Sequence, residues 1–243
     1  MQLRSDIVLD LLDCMGSDQS VIGAMKTMNS VPLPHESDTG RIEYLMQHRH
    51  GTPFEHNAIS LCVSAPIFVW REWHRHRIGF SYNEESARYK QLDPVFFIPN
   101  RGRPMIKTPD KWAPSRPKFL TLDEAADLEI IGDPEEYYQK IVQDMLTGYK
   151  DEYARYQRQL DRQLDPGLAR DNLPVGIYTT CWVTCNLRSA LAFLSLRTHE
   201  PAAKYISYPL WEIQLGARRL EEEIAAIFPL SYAAFNKFGR MSP

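Results

Sequence analysis

The chain has 243 residues, 28.1 kDa, 44% hydrophobic and 11% aromatic residues and 12 glycines, enough apolar surface to offset chain entropy and too ordered a composition for wholesale disorder. Its size is near the usual single-domain ceiling, and one domain over residues 1–243 is expected. A net charge of -3 gives no general attraction to nucleic acid or anionic membrane. No run reaches the roughly 18 to 20 apolar residues that cross a bilayer, and residues 1–5 lead into mixed sequence rather than a signal core, so a cytoplasmic protein is expected.

In chain order, Ala58 to Ser64 reads as a strand, with Ile59, Leu61 and Val63 alternating with Ser60, Cys62 and Ser64. Ser64 is placed to cap a helix that begins near Pro66 and runs from Ile67 to about Ile78, ending near Gly79. From Pro99 to Pro134 prolines recur at 99, 104, 109, 114, 117 and 134, a density that excludes a helix interior or central strand. That stretch reads as a long loop or lid, or as a tolerated surface insertion, with a short helix near Leu122 to Leu128.

Asp133, Pro134 and Glu136 then supply a cap, a first-turn proline and an early carboxylate. Tyr138, Ile141, Met145, Tyr149, Tyr153, Tyr156, Leu160 and Leu164 follow at helical spacing as a core stripe, up to a stop at Asp165-Pro166-Gly167. A second helix covers about Thr184 to Arg197 and a third about Pro209 to Phe228, stopped by Pro229. Strands with segregated long helices and no regular βαβ alternation define an α+β protein. The four cysteines, Cys14, Cys62, Cys181 and Cys185, are too scattered for a disulfide scaffold or a zinc site and read as reduced structural thiols. No metal site is expected.

The chemistry concentrates in Arg71-Glu72-Trp73-His74-Arg75-His76-Arg77, three arginines and two histidines in seven residues. At a helix C-terminus such like charge is offset by about 0.3–1 kcal/mol per cation, and a bound polyanion offsets more. On a helix Arg75 and Arg77 would lie about 200° apart and share no face. The stretch after it, Ser81 to Ser86 and Arg88, reads as a loop offering hydroxyls, backbone N–H groups and a guanidinium fork to a phosphate. The bland reading is a solvated basic helix end, and a nucleic-acid-binding module is the rival from another class. On the helix from Thr184, Asn186 and Arg197 fall within about 20° of each other, with Leu187, Leu191 and Leu194 on a separate stripe. No cysteine stands beside a convincing activating partner, so no thiol nucleophile is indicated.

Arg75-His76-Arg77 followed by Ser86 and Arg88 resembles the signature of the flavin-dependent thymidylate synthases, Arg-His-Arg and a later Ser. Arg41-Ile-Glu-Tyr-Leu-Met, His50-Gly-Thr-Pro-Phe-Glu-His56 and Ala65-Pro-Ile-Phe-Val69 are similar to the family's first half. Arg170 before Leu173-Pro174, Asn186-x-Arg188-Ser189, Leu196-Arg197 and Trp211-Glu-Ile-Gln214 match its second. The resemblance spans roughly Ile42 to Ile98 and Ala169 to Leu220.

It implies a central antiparallel sheet with long helices, a homotetramer with active sites shared between subunits, and C5 methylation of dUMP or UMP. FAD would be the bound cofactor, with methylenetetrahydrofolate as carbon donor and NADPH as reductant. Thr52, Arg75, His76, Arg77, Glu84, Asn186 and Arg188 would contact flavin. His50 would lie near the flavin face where folate and nicotinamide alternate. Glu72, Ser86, Ala87, Arg88 and Arg170 would hold the nucleotide, and Arg197 would bond and polarise the uracil. Between Arg77 and Ser86 stand eight residues where the family usually has seven, the extra one in Ile78-Gly79-Phe80. Glu72 replaces a common glutamine and Ala192 an asparagine. Insertions lengthen Pro99 to Pro134 and Lys204 to Pro209, and Ala24 to Ser30 lacks the usual Ala-Arg-x-Ser run. One branch of the family methylates UMP in polyoxin-type antibiotic synthesis, and this chain is expected to accept one or both nucleotides.

Overall fold

The computed structural model describes residues 1–26, 37–108 and 119–243. In chain order the elements are β1 (Gln2–Arg4), β2 (Val8–Met15), α1 (Asp18–Lys26), α2 (Asp38–Gln47), a 3-10 turn (Thr52–Glu55), β3 (Ala58–Pro66), α3 (Ile67–Trp73) and β4 (Phe80–Glu84). Next come β5 (Val95–Phe97), β6 (Ile106–Lys107), β7 (Phe119–Leu120), α4 (Leu122–Asp127), α5 (Pro134–Asp161), α6 (Pro166–Ala169) and a second 3-10 turn (Arg170–Asn172). β8 (Tyr178–Cys185), α7 (Leu187–Arg197), α8 (Trp211–Ile227) and α9 (Pro229–Lys237) complete the order. Tertiary contacts divide the chain into two compact units, Met1–Asp6 with Ser86–Tyr178, and Ile7–Glu85 with Thr179–Pro243.

The first unit is organised by the tyrosine stripe of α5. Tyr149 and Tyr153 bury their rings around Phe96, and each hydroxyl donates to a main-chain carbonyl, Phe97 at 2.8 Å and Leu92 at 2.9 Å. Nearer the helix start, Tyr138 does the same to Pro99 at 2.9 Å. The aromatic bodies supply apolar area while their hydroxyls satisfy carbonyls that would otherwise be costly to bury. Gly176 permits this packing, since a Cβ there would lie 2.4 Å from the Tyr149 hydroxyl. β1 pairs in parallel with β5, and β6 with β7 antiparallel. Of the proline-rich stretch, Pro109, Pro114 and Pro117 lie outside the described residues. Its flanks are tied together by Arg101, which grips Asp123 through both terminal nitrogens at 2.8 Å and reaches Glu135 at 3.2 Å. The short helix expected near Leu122 is α4, opened by a capping box of Thr121 and Glu124.

The second unit holds a four-stranded sheet in the order β2-β3-β8-β4, in which β2 pairs antiparallel with β3, and β4 with β8. Ile59, Leu61 and Val63 are fully buried while their polar neighbours are half-exposed, as a one-sided sheet requires. Trp70, Trp73, Phe193 and the inner residues of α8 pack in the same core. Trp73 lies so close over α8 that a Cβ at Gly216 would be 2.9 Å from its ring. α9 has no capping side chain of its own, and buried Asp18 substitutes by accepting from Leu230 and Ser231 backbone nitrogens at 2.7 and 3.0 Å. A cap of this kind contributes about 0.5–2 kcal/mol.

Several sequence expectations are corrected. Ser64 caps no helix: it is held in the β3 ladder opposite Val8, and β3 continues to Pro66. α3 ends at Trp73 rather than near Ile78, because the Trp73 carbonyl accepts from the His76 nitrogen at 2.9 Å and from the Tyr82 hydroxyl at 3.2 Å. Residues 81–84, read as loop, form β4, and Thr184 and Cys185 belong to β8 rather than to a helix. α5 closes at Asp161, so Leu164 is not helical, and Pro229 both ends α8 and opens α9. Of the segment from Ala24 to Ser30, residues 27–30 lie outside the described residues. No helix among the described residues is long and apolar enough to cross a membrane.

Candidate active site

The centre of the second unit's polar chemistry is a three-residue contact between α3, the turn after it and the end of α7. Arg197, mostly buried as the last residue of α7, donates from Nε to Nε2 of His76 at 2.9 Å. Its Nη1 meets the Glu72 carboxylate at 2.5 Å, and its Nη2 donates to the Glu72 carbonyl at 3.1 Å. A guanidinium has five N–H donors. Three of them are used by partners among the described residues.

His76 must accept from Arg197, so its Nε2 carries no proton and the ring is neutral. Burial, reinforced by the Arg197 charge, pulls its pKa down to about 4. Phe193 braces the ring edge-on at 4.8 Å, and Tyr82 holds the turn by donating to the His76 carbonyl at 2.6 Å. Since unfolded histidine titrates near 6.5, the unfolded chain takes a proton first as pH falls. The stability His76 contributes is therefore intact above about pH 6.5 and lost between there and pH 4. Discounted for partial exposure, the loss is expected to be on the order of 1 kcal/mol at pH 5. Thermal midpoints at pH 7.5 and 5.0 check it: the wild type should fall further than His76→Gln, and equal falls would contradict the assignment.

Arg75 and Arg77 are exposed, and neither has an ion-pair partner among the described residues. Because α3 has already ended, the helical angle between them does not apply. Both line one hollow of about 380 Å³ with His76, Phe80, Ser189 and Ala192. The turn closes at Gly79, whose φ of +68° is left-handed, and a Cβ there would lie 2.1 Å from Ser189 Oγ. The eight-residue spacing from Arg77 to Ser86 is thus taken up by a glycine turn seated on the start of α7, followed by β4.

An adjoining hollow of about 560 Å³ is lined by Arg49, Glu55, Asn186, Arg188 and Ala192 among others. Asn186 is the N-cap of α7, its side chain accepting from the Ser189 nitrogen at 2.9 Å, so it lies outside the helix on which it was expected to align with Arg197. Arg188 pairs with Glu55, donates to the Pro243 carbonyl at 2.8 Å, and lies against Gly51 so closely that a Cβ there would be 2.5 Å from its guanidinium. Glu84 accepts from the Thr179 hydroxyl at 2.6 Å and lines neither hollow. Nor do His50, whose ring stacks on Tyr44 at 5.8 Å, and Thr52, which opens the 3-10 turn that carries Glu55.

The first unit gathers the expected phosphate residues by itself. Arg170 donates from Nε to the Gly167 carbonyl at 3.2 Å, and the Arg88 stem passes the same glycine, 3.5 Å from where a Cβ would stand. Ser86 Oγ accepts from the Arg88 nitrogen at 3.3 Å, and Ala87 is buried beneath. Sequence reasoning missed Arg49, Tyr82 and Phe193, and read Gly79 only as a helix end beside an extra residue. A tyrosine two residues before Glu84 and a glycine two residues after Arg77 were the available signals. Burial pushes the thiols of Cys181 and Cys185 up to about 12, so neither supplies a thiolate near neutral pH.

A sheet and helix set of this kind, with an Arg-His-Arg turn docked on a helix that ends in a shared arginine, defines a class that comparison with known proteins identifies. The family model described as "Thymidylate synthase complementing protein" matches residues 10–230. The chain belongs to that family, the flavin-dependent thymidylate synthases. It is 39% identical to the flavin-dependent thymidylate synthase of Streptomyces coelicolor, over 100% of this chain and 96% of that protein. It is also 39% identical to the enzyme of the same description from Tropheryma whipplei strain Twist, over 98% and 94%. Among solved structures it is similar to the UMP/dUMP methylase PolB from Streptomyces cacaoi bound with 5-Br UMP, with TM-score 0.85, 38% identity, and 100% and 99% coverage. The 5-Br dUMP complex of that methylase gives the same TM-score at 37% identity.

Proposed function

We propose that this chain is a flavin-dependent methyltransferase that places a methyl group on C5 of a uridine monophosphate, UMP or dUMP. The observation that carries the reading is the Arg197–His76–Glu72 contact, which joins the arginine-rich turn to the end of α7 and, among the described residues, engages three of the five guanidinium N–H groups. Support comes from relatives named as flavin-dependent thymidylate synthases and from the UMP/dUMP methylase that shares the fold.

The residues present fit a flavin dinucleotide. Arg75 and Arg77, which have no ion-pair partner among the described residues, suit its phosphates, and the hollows of about 380 and 560 Å³ fall in the range of small-molecule sites. Arg75, His76, Arg77, Asn186 and Arg188 are assigned to holding FAD, with Thr52 and Glu84 supporting from outside these hollows. Bound reduced flavin would supply the hydride that completes the methyl group.

Uracil C5 is a weak nucleophile, and the raised thiols of Cys181 and Cys185 offer no covalent activation at C6. Arg197 is assigned the compensating role: hydrogen bonds from its charged N–H groups to the pyrimidine favour negative charge on the ring and raise electron density at C5. Neutral His76 holds the Arg197 fork without adding a second positive charge. Glu72 fixes the opposite edge of the fork, and Ser86, Ala87, Arg88 and Arg170 are assigned to the rest of the nucleotide, its phosphate above all. Methylenetetrahydrofolate is the carbon donor and NADPH the reductant in this reading, with His50 beside the site they share. A homotetramer with sites built from several subunits, working in the cytoplasm, completes it.

The polyoxin-type branch is favoured by the fold match to a methylase crystallised with both sugars. Dual acceptance is the expected result: kcat/KM for UMP and dUMP should lie within about a hundredfold of each other, the range that one sugar hydroxyl in a tolerant pocket spans. A larger ratio would restrict the enzyme to one nucleotide.

A further inference from the structure

On the protein side of Arg197 lies a group of charges that the reaction itself does not need. Arg240 and Glu221 are both buried, with side chains 5% and 6% exposed, and pair at 2.6 Å. The Arg240 backbone is left-handed at φ 58°, a strained conformation that a non-glycine residue keeps only where its surroundings impose it. Those surroundings are explicit. The Arg240 guanidinium lies over the Phe235 ring at 4.9 Å and donates to Asn236 Oδ1 at 2.6 Å and to the Thr198 hydroxyl at 3.0 Å. Glu221 also accepts from the Tyr232 hydroxyl at 3.0 Å and from Arg218 at 2.7 Å, and Arg218 in turn donates to the His199 carbonyl at 2.7 Å.

The two residues that follow Arg197 are thus both anchored to this group. Thr198 is the C-cap of α7: its hydroxyl donates back to the Leu194 carbonyl at 2.7 Å and accepts from Arg240. A buried ion pair adds little net stability compared with apolar packing, but it fixes geometry, because each group tolerates few alternative partners. Arg197 needs such fixing, since its three internal hydrogen bonds hold only if the end of α7 keeps its register.

We infer that Thr198 is a positioning residue for Arg197, locked in place by the buried Arg240–Glu221 pair, and that this lock sets the affinity for the pyrimidine nucleotide. The inference rests on the proposed role of Arg197 at the pyrimidine. Thr198→Val keeps shape and removes the hydroxyl, Thr198→Ser keeps the hydroxyl, and Arg240→Lys keeps the charge but loses the fork.

The test measures the dissociation constant for UMP on the FAD-loaded full-length protein, together with flavin content and thermal midpoint. Flavin content is included because Arg240 also lines a hollow of about 370 Å³. Thr198→Val and Arg240→Lys should weaken UMP about tenfold at unchanged flavin content, and Thr198→Ser should return it to within about threefold of wild type. In an Arg197→Lys background, Thr198→Val should add no further loss, because the group it positions has already been changed. Wild-type affinity in Thr198→Val, or an equal tenfold loss in the Arg197→Lys background, would overturn the inference. Wild-type protein that binds neither UMP nor dUMP would instead overturn the functional reading beneath it.

Discussion

Arg197→Met is expected to lower kcat/KM for the nucleotide by about a thousandfold, with most of the loss in kcat. The substitution removes the positive charge assigned to stabilise the pyrimidine anion, and losing one such preorganised donor costs about a hundred- to a thousandfold in other enzymes. A loss concentrated in kcat is the signature of an interaction stronger in the transition state than in the ground state. Arg197→Lys should fall between, since an ammonium keeps the charge but cannot reach His76 Nε2, the Glu72 carboxylate and the Glu72 carbonyl together. Glu72 is partly exposed, so the carboxylate left behind is hydrated and the fold should persist. Steady-state kinetics beside a thermal midpoint separate the two effects; a variant that keeps wild-type kcat removes Arg197 from the chemistry.

The paired replacement Arg88→Ala and Arg170→Ala is expected to raise KM for UMP at least a hundredfold while leaving kcat within a few-fold. Charge-assisted bonds to a phosphate contribute about 1.5–3 kcal/mol each, and the phosphate carries the same charge before and during methyl transfer. Binding that is uniform along the reaction appears in KM rather than kcat. Both side chains are exposed and their shared contact is with Gly167, so stability should change little. An unchanged KM would take the phosphate away from this cluster.

What the sequence disclosed follows from the range of each interaction. The α5 helix was legible because its cap, first-turn proline and tyrosine stripe are local signals, and the structure places Tyr149 and Tyr153 of that stripe around Phe96. α3 was drawn too long because the group that ends it, the Tyr82 hydroxyl, lies across a turn and competes for carbonyls that helical periodicity would have used. β4 was read as loop because Ser81, Asn83 and Glu84 are polar and only its pairing with β8 makes them a strand. α9 escaped notice because Pro229 was read only as a terminator, and the side chain that caps that helix, Asp18, is more than two hundred positions away.

The site was legible in a similar way. The arginine-rich run marked itself by composition, and resemblance to a family assigned roles along it. The contact between His76 and Arg197 spans 121 positions and has no trace in periodicity. Asn186 illustrates the converse: the helical angle that aligned it with Arg197 was arithmetic on a helix that starts one residue later, and its side chain is committed to capping.

The central claim, that this chain's arginines bring a flavin and a uridine monophosphate to one reaction at C5, is tested most directly by tritium release from UMP labelled at that carbon. Protein supplied with FAD, methylenetetrahydrofolate and NADPH should release label in step with formation of 5-methyl nucleotide, and Arg197→Met should release it about a thousandfold more slowly. Protein that takes up no flavin and leaves the label of both UMP and dUMP in place would contradict the account.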